Sequence, residues 1–260
     1  MKTLRSAIFL VIFFFTATTL LLAQTSTPSS AILAAPALRI NTAIVPTPPP
    51  DAPNGPKQKR AEVVLQRAKD NPGPCDIVFI GDSITQQWGS SGSNVWHKFY
   101  GYRKCLNFGV PGDRTQRVLW RFGQGQLDGL KPKVAVLMIG TNNSNNDDNT
   151  EADILEGVQA IVAQIRQQLP DTKVLVMGIF PRGKTFSPQR GKILQVNQAL
   201  AKLADGRMLH YLDIGSRLIE ADGSISAAVM PDEVHLAERG YEIWAEAIEP
   251  KLSELLATKP

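Results

Sequence analysis

The sequence has little cysteine and little histidine: Cys75 and Cys105 of the first, and three of the second, in 260 residues. No Cys/His cluster carries zinc-site spacing, which excludes a structural metal as the organising element. Charge of one sign is also scarce. The formal balance is +4, and the first 23 residues hold Lys2 and Arg5 but no acid, so without them it is +2. No Lys/Arg stripe interleaves with aromatics, so nucleic acid is excluded as a partner. No internal repeat occurs. With 43% hydrophobic residues the chain can bury one sizeable core, and its length argues against two full domains.

Long apolar runs occur once as an extreme. Residues 1–23, "MKTLRSAIFLVIFFFTATTLLLA", place two basic residues before an apolar stretch, the pattern of an export signal. Its apolar part is just short of a comfortable membrane span, so cleavage is expected, with a retained N-terminal anchor as the alternative. Either outcome directs the protein to a periplasmic or extracellular location. Residues 24–57 are rich in Pro, Ser, Thr and Ala, include "PTPPP", and read as a flexible tether. The folded domain is expected over 58–260.

From Lys57 onward, helical and strand patterns alternate. "PKQKRAEVVLQRAKD" leads as a helix into a strand ending at Gly81. Further strands are expected at 104–109, 133–140, 173–180 and 208–214. "KVAVLMIG" is almost wholly apolar, as in a strand covered on both faces. Helices are expected from Thr115, over 151–169, around 188–204 and from about Tyr241 to Leu256. This order implies an α/β fold, a five-stranded parallel sheet between helical layers joined by right-handed crossovers. Ligand sites in such sheets lie at the carboxyl ends of strands. The segments that follow the first three strands, Gly-Asp-Ser at 81–83, "VPGDRT" and "TNN", should therefore share one rim.

Ser83 could be a nucleophile or turn punctuation. A hydrolytic serine needs a base and usually an acid that orients it. His97 lies between aromatics and His210 inside a strand. His235, in "PDEVHLAERGY", lies in a loop that can reach the rim, with Asp232 one short turn earlier. Oxyanion donors are also needed. The candidates are the Ser83 amide, the Gly112 amide in a Pro-Gly turn, and the Asn142 side chain. Singly, each has a plain structural reading: Gly112 as a turn glycine, Asn142 as a loop cap, His235 as a polar residue near a helix start. Their joint placement at strand ends favours chemistry.

"GDSIT", "NFGVPGDRTQRVLWRF", "IGTNN" and "DEVHLAERGY" together resemble the blocks of the SGNH/GDSL hydrolase family, in particular platelet-activating factor acetylhydrolase catalytic subunits and their bacterial relatives. The resemblance covers roughly 74–257. It implies a flavodoxin-like three-layer α/β/α sandwich, with Ser83 as nucleophile, His235 as base and Asp232 as orienting acid. It also implies an oxyanion hole of Ser83, Gly112 and Asn142. Val-Pro-Gly stands where the mammalian subunits have Ile-Gly-Gly, which keeps the glycine. Absence of a Gly-x-Ser-x-Gly elbow argues against the α/β-hydrolase fold.

The expected activity is hydrolysis of short-chain, acetyl esters of an alcohol, carbohydrate or lysolipid, with no metal or organic cofactor. The substrate would be a small molecule or a glycan. Acyl transfer to a glycan and a silent glycan-binding module are the competing classes. Asp82 is expected to brace the turn, Asp113 and Arg114 to fix the loop, with contact to an anionic substrate group as the alternative for Arg114, and Arg121 to form a buried ion pair. "NNSNNDDNT" lacks EF-hand spacing and reads as a solvated loop and helix cap. Cys75 and Cys105, at the starts of neighbouring strands, could form a disulfide or remain two buried thiols.

Overall fold

The computed structural model describes residues 39–146 and 148–258. The segments expected to be an export signal and, up to residue 38, a tether lie outside the described residues. Among the described residues no helix is long and apolar enough to cross a membrane.

Seven α-helices and five strands of the described residues lie in the unit that begins at Ile40, with short 3-10 turns between some of them. They run α1 (Pro56–Asp70), β1 (Gly73–Gly81), α2 (Ser83–Gln86), α3 (Ser93–Tyr100), β2 (Cys105–Gly109) and α4 (Thr115–Gly123). Then follow β3 (Leu130–Met138), α5 (Glu151–Gln168), β4 (Lys173–Met177), α6 (Pro188–Leu200), β5 (Leu209–Leu212) and α7 (Glu238–Ala257). All five strands are parallel, in the order β2-β1-β3-β4-β5. That is the flavodoxin-like order, whose crossovers diverge beside β1 and open a crevice at the carboxyl ends.

The strands alternate between two cores. Val78 and Ile80 join α1, α4, α5 and α6 on one face. Ile77 and Phe79 join α3 and α7 on the other, around Trp88, Tyr100, Tyr241 and Trp244. Edge-on and tilted ring contacts knit this second core, with Trp88 4.5 Å from Tyr241 and 4.9 Å from Trp244 between centroids.

Three features depart from the sequence expectations or add to them. Residues 40–57 are not a free tether. Ala43 is fully buried and its carbonyl accepts the Thr115 hydroxyl at 2.8 Å. The Thr47 N–H donates to Gln116 O at 3.1 Å, and Asp51 accepts the amides of Lys57 and Gln58 at the start of α1. Composition registers the prolines but not these tertiary partners. Second, the segment between β1 and β2 contains α2 and α3, which no long apolar period announces. Third, the loop after β3 is not fully solvated. Asn143 and Asn149 are buried and hydrogen-bonded to each other at 3.0 Å, while Thr150 caps α5 as expected.

The cysteines are both free. Cys105 faces Ile77 in the register, and the two thiols lie on opposite faces of the sheet. Burial pushes Cys75 up to about 11 and Cys105 up to about 12.

Candidate active site

Gly81 at the end of β1 is level with Gly109 of β2 and Met138 of β3. The loops after these three strands therefore leave the sheet together. A Cβ on Gly81 would lie 2.1 Å from Thr85 Oγ1 and 2.4 Å from Met138 O, so only glycine lets α2 fold back over the strand end. Asp82 then caps α2, accepting the Ile84 N–H at 2.9 Å, and Ser83 becomes the first helical residue.

Asp82 is fully buried. Desolvation pushes its carboxyl up to about 7, the Ile84 N–H opposes the rise, Asp113 adds to it, and Arg182 opposes it. Its second oxygen has no hydrogen-bond partner. The expected bracing role is what the geometry shows.

The histidine arrives from the other end of the chain. Asp232 Oδ1 accepts the N–H groups of Val234 and His235, at 3.1 and 2.6 Å, and Glu233 between them takes a left-handed φ of 65°. This tight turn aims the ring. His235 Nδ1 is 2.6 Å from Asp232 Oδ2, and Nε2 is 2.8 Å from Ser83 Oγ. Burial alone would raise the Asp232 carboxyl, but the His235 and Val234 amides and the His235 ring hold it below the usual carboxylate range. An ionised carboxylate only accepts, so the Nδ1–H donates to Asp232 Oδ2, which turns Nε2 toward the serine hydroxyl.

Gly112 follows Pro111 in a type II turn: its φ is +71°, and the Asp113 N–H donates to Val110 O at 3.2 Å. Asn142 Nδ2 donates to Asp113 O at 2.9 Å, tying the loop after β3 to the loop after β2. Asp113 itself is buried and paired with Arg121, Nε to Oδ2 at 3.0 Å; burial pushes its carboxyl up to about 6 against that guanidinium. Arg114 pairs with Asp148 at 2.6 Å. Among the described residues no group of three or more His, Cys, Asp or Glu is placed to hold a metal ion.

A family model described as the GDSL-like lipase/acylhydrolase family matches residues 79–243, a span holding Ser83, Gly112, Asn142, Asp232 and His235. The chain belongs to this family. As a GDSL-like acylhydrolase it is a carboxylic ester hydrolase. It is 37% identical over 183 residues to human platelet-activating factor acetylhydrolase IB subunit alpha1, covering 70% of this chain and 77% of that one. The fold matches a GDSL-like lipase structure from Bacteroides thetaiotaomicron with a TM-score of 0.62 and 18% identity, over 75% of this chain and 97% of the other. It also matches the acetylxylan esterase of Geobacillus stearothermophilus, with a TM-score of 0.55 and 18% identity, over 68% and 94%.

Several residues that are not among the expected site residues brace this GDSL-like site. Arg182 donates to Thr141 O at 3.2 Å and Asn145 Oδ1 at 2.8 Å, bracing the loop that bears Asn142. The Gly183 N–H donates to Glu233 O at 2.8 Å, holding the histidine turn against the loop after β4. Tyr241 of α7 likewise meets the segment bearing Ser83 only through the fold.

Proposed function

We propose that the protein hydrolyses short-chain esters, acetyl esters above all, through an acyl-enzyme on Ser83. One observation carries this: Ser83, His235 and Asp232 form an unbroken hydrogen-bonded chain of 2.8 and 2.6 Å. His235 Nε2 takes the hydroxyl proton as Ser83 Oγ attacks the carbonyl carbon. Negative charge gathers on the carbonyl oxygen, where the amides of Ser83 and Gly112 and the Asn142 side chain serve as donors. Protonated His235 gives its proton to the leaving alcohol. A water molecule, deprotonated by the same nitrogen, then attacks the acyl-Ser83 ester, releasing the acid and restoring the hydroxyl.

Acetyl as the acyl group is supported by relatives named for acetyl removal, and the alcohol part is a small molecule, a lysolipid or a glycan. Asp232 is 56% exposed, so water reaches the edge of the site, which favours hydrolysis over transfer. Export is part of this reading, on the basic-then-apolar pattern of residues 1–23.

The test is a panel of acyl-chain lengths and acetylated glycans, with and without an added acceptor alcohol. Turnover highest for acetyl and lost in Ser83→Ala supports the reading. Activity surviving in Ser83→Ala overturns the mechanism, and acyl transfer outpacing hydrolysis overturns the reaction class.

A further inference from the structure

Beyond the Gly112 α-carbon stands a residue from outside the family-matched span: Lys57. A Cβ on Gly112 would lie 3.1 Å from Lys57 Nζ and 3.2 Å from its Cε. Topology explains the meeting. α1 leads back to the start of β1, so its own amino end lies at the carboxyl rim. Arginines lay the helix along the edge strand: Arg60 Nε donates to Gly109 O at 3.1 Å and Arg67 to Asn107 O at 2.7 Å. Asp51, by accepting two amides of the first turn, fixes the end from which Lys57 projects.

The other cations around this rim have partners. Arg114 is paired with Asp148, Arg117 donates to the Gly112 carbonyl, and Arg182 donates to Thr141 and Asn145. Lys57 is half-buried, and its ammonium has no hydrogen-bond or ion-pair partner among the described residues. Asp113 feels its charge but is buried and bound to Arg121. The exposed acids of the site, Asp232 and Glu233, stand on the histidine turn instead. On the α1 side the Asp51 carboxylate is bound to the amides of the first turn. The Lys57 ammonium therefore stands there without a side-chain partner, opposite the acidic histidine turn on the α7 side, a field that orients a charged ligand.

We propose that Lys57 is a specificity-determining residue that seats a compact anionic group, carboxylate or phosphate, borne by the alcohol part of the ester. This rests on the acetylesterase reading above: an acetyl group has no room for a charge, so the anion belongs to the alcohol. The ammonium beside the Gly112 loop then holds the alcohol while its acyl carbonyl faces Ser83.

The test uses three matched esters of the full chain's expected type: phenyl acetate, 3-acetoxybenzoate and 3-acetoxyphenyl phosphate. In Lys57→Met the kcat/KM ratio of an anionic ester to phenyl acetate falls about tenfold, mainly through KM. Lys57→Arg restores the ratio, Lys57→Glu lowers it further, and high salt narrows the wild-type preference. A loss confined to one anion supports the assignment and identifies that anion. Ratios unchanged in Lys57→Met for both anions, with phenyl acetate still hydrolysed, overturn the role of Lys57 alone. Failure of the wild type to hydrolyse phenyl acetate overturns the esterase reading, and this inference with it.

Discussion

Tyr241 donates its hydroxyl to the carbonyl of Ile84 at 2.7 Å, joining the first turn of α7 to the residue after the candidate nucleophile. Both residues are buried, and the Tyr241 ring lies against Trp88 and Trp244. Since α7 follows directly on the His235 turn, this bond is a strut between the segment bearing the histidine and the segment bearing the serine. The two side chains are far apart in sequence and meet across one hydrogen bond, so their spacing depends on such struts.

Tyr241→Phe therefore costs about 1–2 kcal/mol of stability, through one buried hydrogen bond and an unsatisfied carbonyl. It also lowers kcat severalfold with a smaller change in KM, because Ser83 and His235 are no longer set against each other. Urea unfolding and steady-state kinetics on an acetyl ester check both. Full activity with reduced stability would show that the strut supports only the core.

Ser83→Ala and His235→Ala each abolish hydrolysis to nearly the same background, and the double variant is no worse than either single one. In the proposed mechanism the two groups act as a unit, so removing one disables the other. Additive losses in the double variant would mean that the residues work independently.

Asp232→Asn lowers kcat by about 10²–10⁴-fold. An amide can donate to Nδ1, which places the ring proton on Nε2 and removes the base that Ser83 needs. An NMR measurement of the ring tautomer separates this from loss of the turn, because the amide oxygen can still accept the Val234 and His235 N–H groups.

Asp82 gives a pH test. Its ordinary pKa of 3.8 applies to the unfolded chain, and burial pushes the folded value up to about 7. Between those values the native state holds a proton that the unfolded state releases, so this group's contribution to stability falls as pH rises from about 4 to about 7. Asp82→Asn keeps the cap for Ile84 and has no proton to lose. Its stability relative to wild type should improve from pH 5 to pH 8, read from denaturant midpoints at both. Parallel curves would contradict this.

Arg121→Met removes the partner of a buried carboxylate and costs about 3–5 kcal/mol at pH 8. At pH 5 the loss is smaller, because Asp113, pushed up to about 6, is largely protonated there. Equal losses at the two pH values would show that Asp113 does not titrate in this range.

Most of the fold is legible in the chain because buried parallel strands are apolar throughout and their helices carry a regular period. "KVAVLMIG" shows its strand plainly, although the observed strand begins at Leu130, where pairing with Gly73–Cys75 of β1 extends it. α2 and α3 are not legible, since a one-turn helix and an eight-residue helix are too short to show a period. They form because Asp82 caps the first and the aromatic core holds the second. The packing of residues 40–57 is hidden for another reason: it depends on single contacts such as Ala43 with Thr115, not on composition.

The sequence by itself determined the sheet, the carboxyl rim and the residues on it, because strand ends and turn chemistry are local properties of the chain. Pro111-Gly112 and the Asp232–His235 turn are of this kind. Only the tertiary structure decided that His235 Nε2 stands 2.8 Å from Ser83 Oγ, that Tyr241 braces the two segments and that Lys57 lies over Gly112. Those relations join segments far apart in the chain, and their distances are set by how helices pack across the sheet. No run of neighbouring residues encodes them.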